Sequence, residues 1–258
     1  MNNFKSVLKR HRRYFGPAAL VLAVIAIFWV VNSPAIVGVS ASARELPIYS
    51  VQRDNKAVSL TFDAAWGNED TQRLIDILNK YGVRATFFLV GDWAEKYPES
   101  VQSLHNAGME IGNHSDTHPH MAKLSEKQIM DEISLCNGKI EGITGGTVSL
   151  FRCPYGEYND TVINTINNMG MYPVQWDVDS LDWKDLSADE IYKRVTSKVT
   201  GGSIVLFHNA ALHTPEALPS IIEYLLSEGY EIVPVSELLL TGNYNIDNTG
   251  KMIADTGA

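Results

Sequence analysis

From residue 57 onward, short apolar runs alternate with amphipathic stretches. The apolar runs cover 57–62, 85–90, 110–113, 148–152, 171–176, 203–207 and 231–235, and each predicts a strand. Between them apolar residues recur at helical spacing, as in "NEDTQRLIDILNKYG" and "TPEALPSIIEYLLSEG". Several of these segments open on Asn, Ser or Thr and stop at Gly, the residues that cap helices. Strands alternating with helices predict a parallel sheet with helices outside it. Seven such units predict a (β/α) barrel, complete or incomplete; a doubly wound open sheet is the alternative arrangement.

The pattern before residue 57 differs. Lys5, Lys9, Arg10, Arg12 and Arg13 precede "PAALVLAVIAIFWVV", residues 17–31, which has no polar face. A basic flank followed by an apolar run predicts an export signal or an N-terminal anchor helix. Ala41-Ser42-Ala43 is a cleavage candidate far beyond the apolar run, which favours the anchor. The expected layout is a basic N-terminus and apolar helix over 1–34, a linker over 35–54, a domain over 55–240 and a tail over 241–258. The domain is expected outside the cytoplasm, held by a single membrane pass or secreted after cleavage near Ala43.

Charge narrows the partners. The first 43 residues hold five Lys and Arg and no acid, so the remainder carries 16 basic against 30 acidic residues, a formal charge of −14. Phosphate neutralisation dominates nucleic-acid affinity, so no nucleic-acid partner is expected. A neutral substrate fits better. The two cysteines, Cys136 and Cys153, are too few for a disulfide framework and are expected as free thiols.

In a barrel, chemistry collects where strands end. The first predicted strand ends at Asp63, and the third runs into "GNHSDTHPH" with His114, His118 and His120. The fourth ends in "FRCPYGEYN" with Arg152 and Tyr155, the fifth in "DVDSLDW" with Asp182 and Trp183, the sixth in "VLFHN" with His208. Four of the seven histidines thus fall at one sheet edge.

Each has a plainer reading. His114 and His118 are loop histidines or a pair of nitrogen donors for zinc. Asp63 is a helix cap or a base; Asn68 is better placed to cap the helix near Glu69, which leaves Asp63 for chemistry. Arg152 neutralises a buried acid, and that acid can be Asp63 itself. His208 is a core histidine or a general acid, with Asp182 to support its charged form. His120 has no further ligand pattern around it.

Together these residues resemble the polysaccharide deacetylase family, the NodB-homology or carbohydrate esterase family 4 domain, over roughly residues 55–240. "TFDAAWG" stands where that family has T-F-D-D-G. "HSDTH" matches H-[ST]-x-x-H, "RCPYG" matches R-x-P-x-G, "DSLDW" matches D-x-x-D-W and "LFH" matches L-x-H. The resemblance implies a distorted (β/α) barrel and metal-assisted hydrolysis of N-acetyl groups on amino sugars of chitin, peptidoglycan and related polymers. It implies Asp63 as the base, His114 and His118 as ligands of a divalent metal, most simply zinc, and Arg152 as the residue that orients Asp63. It further implies the Tyr155 backbone N–H at the oxyanion, Trp183 and Leu206 around the acetyl group, Asp182 supporting His208, and His208 as the acid. One position departs from the pattern: the third ligand of the family is an Asp, and here it is Ala64, which weakens metal binding. Asn68, Glu69 or Asp70 could supply the missing donor. The "TFDxxWG" form is similar to the PdaB-like branch, associated with spore-wall peptidoglycan in spore-forming bacteria. The alternative function is a non-catalytic glycan-binding or cell-wall scaffold protein with a decayed metal site.

Overall fold

The computed structural model describes residues 22–24 and 44–255. The apolar segment 17–31, apart from residues 22–24, and the cleavage candidate Ala41-Ser42-Ala43 lie outside the described residues. Among the described residues no helix is long and apolar enough to cross a membrane.

In chain order the elements are β1 (Ser50–Val51), β2 (Ala57–Ala64), α1 (Thr71–Lys80), β3 (Thr86–Leu89), α2 (Gly91–Lys96), α3 (Pro98–Asn106), β4 (Glu110–Asn113) and α4 (Glu126–Thr144). Then come β5 (Leu150–Phe151), α5 (Asp160–Asn168), β6 (Tyr172–Pro173), β7 (Val178–Asp179), α6 (Ala188–Thr196), β8 (Ile204–His208), α7 (Thr214–Ser227), β9 (Glu231–Ile232), α8 (Val235–Leu238), β10 (Tyr244–Ile246) and β11 (Lys251–Ala254). The main sheet runs β6-β5-β4-β3-β2-β8-β7, and β9 pairs with the start of β2. All its pairings are parallel.

Strand side chains alternate between two faces. In β2, Val58, Leu60, Phe62 and Ala64 join Leu74, Leu104, Ile129 and Ile222 of the helices in one buried apolar layer. The other face carries Ser59, Thr61 and Asp63, and on neighbouring strands Phe88, Leu150 and Ile204. This inner face closes on Ile48, Val51, Val235 and Met252, and not on a second layer of long helices. The sheet is therefore a curled half-barrel, not a doubly wound open sheet.

Two expectations are corrected. Residues 45–54 are not linker. Ile48 bridges Val174 beside β6, and Val51 donates to Gly202 just before β8 at 2.9 Å, so this stretch spans the gap between the sheet's two sides. The segment from 241 is not a free tail either: β10 and β11 form an antiparallel pair, and β11 pairs with β1. The reason is common to both. An open half-barrel leaves unpaired edges and an uncovered apolar bottom, and these strands satisfy them. Some predicted strands are also shortened, β5 and β6 to two residues each, whereas β4 keeps its predicted bounds and β2 runs two residues further, to Ala64. Ser125 and Ser187 form capping boxes, and Asn159 accepts from Val162 N at 3.0 Å, as the pattern predicts. Cys136 and Cys153 are free and buried.

Candidate active site

Parallel register sets the site level by level. Asp63 on β2 lies opposite Phe88 on β3 and His208 on β8, and Phe88 lies opposite Gly112 on β4. One residue higher, Asn113 pairs with Phe151, so His114 and Arg152 emerge side by side just past the ends of β4 and β5. The site residues are thus consequences of where four strands stop.

Asp63 is held by Arg152, whose Nη1 donates to Asp63 Oδ1 and to Thr61 Oγ1, each at 2.8 Å. Arg152 is 0 % exposed. Its guanidinium lies over the Phe88 ring at 4.0 Å and also donates to the Gln175 carbonyl at 3.1 Å. A buried cation without a countercharge is costly, so the pair is mutually required. Burial, the largest influence, pushes the Asp63 carboxyl up; Arg152, His114 and His208 outweigh it and hold the carboxyl below its ordinary value. Asp63 is an ionised acceptor at neutral pH, the form a base needs.

The His114 Nδ1 lies 2.8 Å from the Arg152 carbonyl oxygen. A carbonyl only accepts, so Nδ1 carries the proton and Nε2 presents a lone pair, 3.5 Å from Asp63 Oδ2. His118 lies beside it with ring centroids 4.9 Å apart. Burial and the neighbouring His114 push His118 down to about 4, so it too is neutral near pH 7.

On the other side His208 Nδ1 donates to Asp182 Oδ1 at 2.8 Å. The second Asp182 oxygen accepts from the His208 backbone N–H at 2.8 Å and from Thr214 Oγ1 at 2.7 Å. Burial alone would lower His208; the hydrogen bond and charge of Asp182 outweigh it and raise the imidazole above its ordinary value. Nε2 is left for the cavity.

Asp63, His114, His118 and His208 line one cavity of about 440 Å³. Leu206 and Trp176 form apolar wall, and Tyr155, Trp183 and Trp66 stand at its rim. Backbone strain gathers here. Ser115, His118, Tyr155, Leu181 and Ala210 all adopt positive φ without being glycine, and all lie in loops at this end of the sheet. Tyr155 (φ 58°) is stacked by His120 at 4.6 Å, and His120 is tied to Glu157 at 2.8 Å. The next residue must be glycine: Gly156 has φ +67°, and a Cβ there would meet Trp176 at 3.1 Å.

The loop after β2 corrects a further expectation. Asn68 does not cap α1; Asp70 holds that position without a side-chain cap bond, and Asn68 Nδ2 donates to Ser100 Oγ at 3.0 Å. Nor do these residues turn to the imidazoles, since Asp70 Oδ2 accepts from Ala210 N at 2.9 Å. The loop is pinned by a residue the strand-end pattern passed over. Asn209 Nδ2 donates to the Trp66 and Gly67 carbonyls, and Asn209 Oδ1 accepts from Ala65 N at 3.2 Å. Its own N–H donates to the Asp63 carbonyl at 3.0 Å. Its place directly after His208 was the available signal. Thr214 was likewise missed as a site residue: it opens "TPEALPSIIEYLLSEG" and reads as a helix cap, whereas it is the first residue of α7 and gives its hydroxyl to Asp182.

The donors present fit a divalent ion in part. Two neutral imidazoles, one with its second nitrogen fixed by a carbonyl, are what a bound metal requires. Among the described residues, however, no group of three or more His, Cys, Asp or Glu side chains converges as a metal set. The chain supplies two nitrogen donors, and Ala64 supplies none.

A family model described as polysaccharide deacetylase matches residues 50–174. The chain is 35% identical over 192 residues to a peptidoglycan-N-acetylglucosamine deacetylase of Bacillus cereus, covering 72% of this chain and 70% of that one. It belongs to the polysaccharide deacetylase family. It is also 36% identical over 189 residues to the peptidoglycan-N-acetylmuramic acid deacetylase PdaC of Bacillus subtilis, covering 73% of this chain. The chain spans 40% of the length of PdaC and 60% of that of the uncharacterized Bacillus subtilis protein YlxY, to which it is 34% identical over 75% of its own length. Among solved structures it is similar to a wild-type CE4 family pseudoenzyme from Bacillus anthracis, with 38% identity, a TM-score of 0.72, and 74% and 68% of the two chains covered. A mutant of that pseudoenzyme with restored enzymatic activity matches with 39% identity and the same TM-score, over 74% and 70%. Members of this family thus keep the fold on both sides of the line between enzyme and pseudoenzyme.

Proposed function

We propose that this chain is a hydrolase that removes N-acetyl groups from amino sugars of an envelope polysaccharide, peptidoglycan foremost and spore-wall peptidoglycan by its branch of the family. The observation that carries this is the pairing of two oppositely tuned groups across one cavity. Arg152 bonds Asp63 and holds its carboxyl below the ordinary carboxylate value, and Asp182 bonds His208 and raises its imidazole above the ordinary value. Groups pushed apart in this way take the roles of base and acid.

Asp63 removes a proton from water as the water oxygen attacks the acetamide carbonyl carbon. The Tyr155 backbone N–H, on its strained turn, stabilises the oxyanion. The C–N bond then breaks as His208 Nε2 gives its proton to the nitrogen, leaving acetate and a free amine. Bound at His114 and His118, a divalent ion, zinc by donor type, would supply Lewis-acid polarisation of the carbonyl, with weaker binding than a three-ligand site gives. Leu206 and Trp183 enclose the methyl group. The basic and apolar N-terminus supports a domain facing the envelope, anchored or secreted.

A specific observation favours a second reading, a non-catalytic glycan-binding protein: Ala64 leaves the imidazole pair without a third ligand, and a related pseudoenzyme has the same fold. Acetate release from peptidoglycan and from N-acetylglucosamine oligomers decides, with Asp63→Asn as control. Release that Asp63→Asn abolishes supports the hydrolase. Glycan binding without release at any zinc concentration supports the second reading.

A further inference from the structure

Three aromatic side chains in the described residues are large and exposed: Trp66 at 56%, Tyr155 at 58% and Trp183 at 53%. All three border the same cavity. Exposed indoles scattered over a surface need no explanation, but their confinement to one rim does. Tyr155 and Trp183 already have places in the reaction. Trp66 has none, and its setting is the most specific of the three. Its ring centroid lies 6.0 Å from that of His118 and 6.2 Å from that of His208, so it stands between the two halves of the site. Its backbone is not loose. Asn209 holds the Trp66 and Gly67 carbonyls, and Trp93 Nε1 donates to the Gly67 carbonyl at 2.9 Å. A flat apolar ring is thus displayed to solvent from a pinned loop.

We propose that Trp66 is a stacking platform for a pyranose ring, a positioning and specificity-determining residue that seats the N-acetylated sugar, or the unit next to it, between His118 and His208. A pyranose presents a face of C–H groups between polar edges, and a rigid amphipathic aromatic matches that face at low entropy cost. The loop orders nothing further on binding, because its backbone is already held. This assignment rests on the glycan reading above, and makes an aromatic at position 66 part of what the site recognises.

The test uses the full chain in wild-type, Trp66→Ala and Trp66→Phe forms, with the N-acetylglucosamine tetramer as probe. If the wild type releases acetate, KM and kcat are measured; if it binds without turnover, the dissociation constant is measured by calorimetry on the same samples. Trp66→Ala is expected to weaken KM or Kd about three- to tenfold, and Trp66→Phe to recover most of that loss. The thermal midpoint should move little, since the indole is exposed. Equal affinity in all three forms overturns the platform while leaving the glycan reading intact. Loss in Trp66→Ala without recovery in Trp66→Phe also overturns it, because stacking needs only an aromatic face. Neither release nor binding of the tetramer by the wild type overturns the glycan reading and the platform with it.

Discussion

Asp63 and His208 stand directly opposite each other on adjacent parallel strands, in register across β2 and β8. The two groups assigned as base and acid therefore share one rigid pair of strands, and each is tuned from outside that pair. Arg152 comes from beyond β5, and Asp182 from the turn after β7. Substitution of either tuning residue should alter chemistry without moving the strands.

Asp63→Asn should abolish acetate release and also destabilise the fold. The amide still accepts a hydrogen bond, but Arg152 then lies buried without a countercharge. Breaking a buried pair this way costs about 3 kcal/mol. Chemical denaturation and an acetate assay on the same sample check both halves. A variant of unchanged stability would mean that Thr61 and Gln175 suffice to hold the guanidinium.

His208→Ala should slow release by about 10²–10⁴-fold, the range of general acid catalysis. A normal rate would return His208 to a structural role beside Asp182.

The pH profile follows from the same two groups. The Asp63 pKa lies below its ordinary 3.8, so ionised Asp63 and the stability it adds persist at neutral pH and are lost as pH falls through the lowered value. The His208 pKa lies above 6.5, so its Nε2 proton and the charge attraction to Asp182 that comes with it are present below 6.5 and lost as pH rises through the raised value, while the Nδ1–H bond to Asp182 remains. Activity should hold past pH 6.5 before declining. In Asp182→Asn the alkaline limb should move to lower pH. An unmoved limb would show that some other group supplies the proton.

Asn209→Ala should loosen the loop that carries Trp66, because one amide side chain serves Ala65 N, the Trp66 carbonyl and the Gly67 carbonyl. Leaving these partly buried groups unpaired costs about 1–3 kcal/mol. Slowed exchange of the Ala65 amide hydrogen in wild type, lost in the variant, would locate the effect.

Much of this was legible in the sequence because strand ends are. Apolar runs that stop at a polar residue mark the rim of a parallel sheet, and that alone brought Asp63, His114, Arg152 and His208 together. The gap-spanning stretch around Ile48 and Val51 was not legible, since two-residue strands carry no alternation. Asn68 misled because its neighbour Ser100 lies 32 residues away in the chain. Asn209 and Thr214 serve through hydrogen bonds to distant backbone and carboxylate, and such partners have no local pattern.

Ala64 offers the sharpest test. Its side chain belongs to the helix-side apolar layer, yet it is the last residue of β2, level with Leu89 and Asn113 and one step below His114. In Ala64→Asp a carboxylate would begin in that layer without a cation, so the metal-free variant should unfold at a lower temperature than wild type. A strand's last residue is held on one side only, and a zinc ion on His114 and His118 gives the carboxylate somewhere to lean. Zinc should therefore restore the lost stability, because an ion that binds only the folded state stabilises by mass action. By comparison with changes in a metal's surroundings, its affinity should exceed that of the wild type by about tenfold or more. Turnover need not rise in proportion, since an added anionic ligand weakens a Lewis acid. Thermal midpoints of both forms across a zinc titration, buffered with a competing chelator, read all of this at once. A variant that is destabilised and indifferent to zinc would show that the carboxylate stays among the helices and that the imidazole pair does not hold an ion.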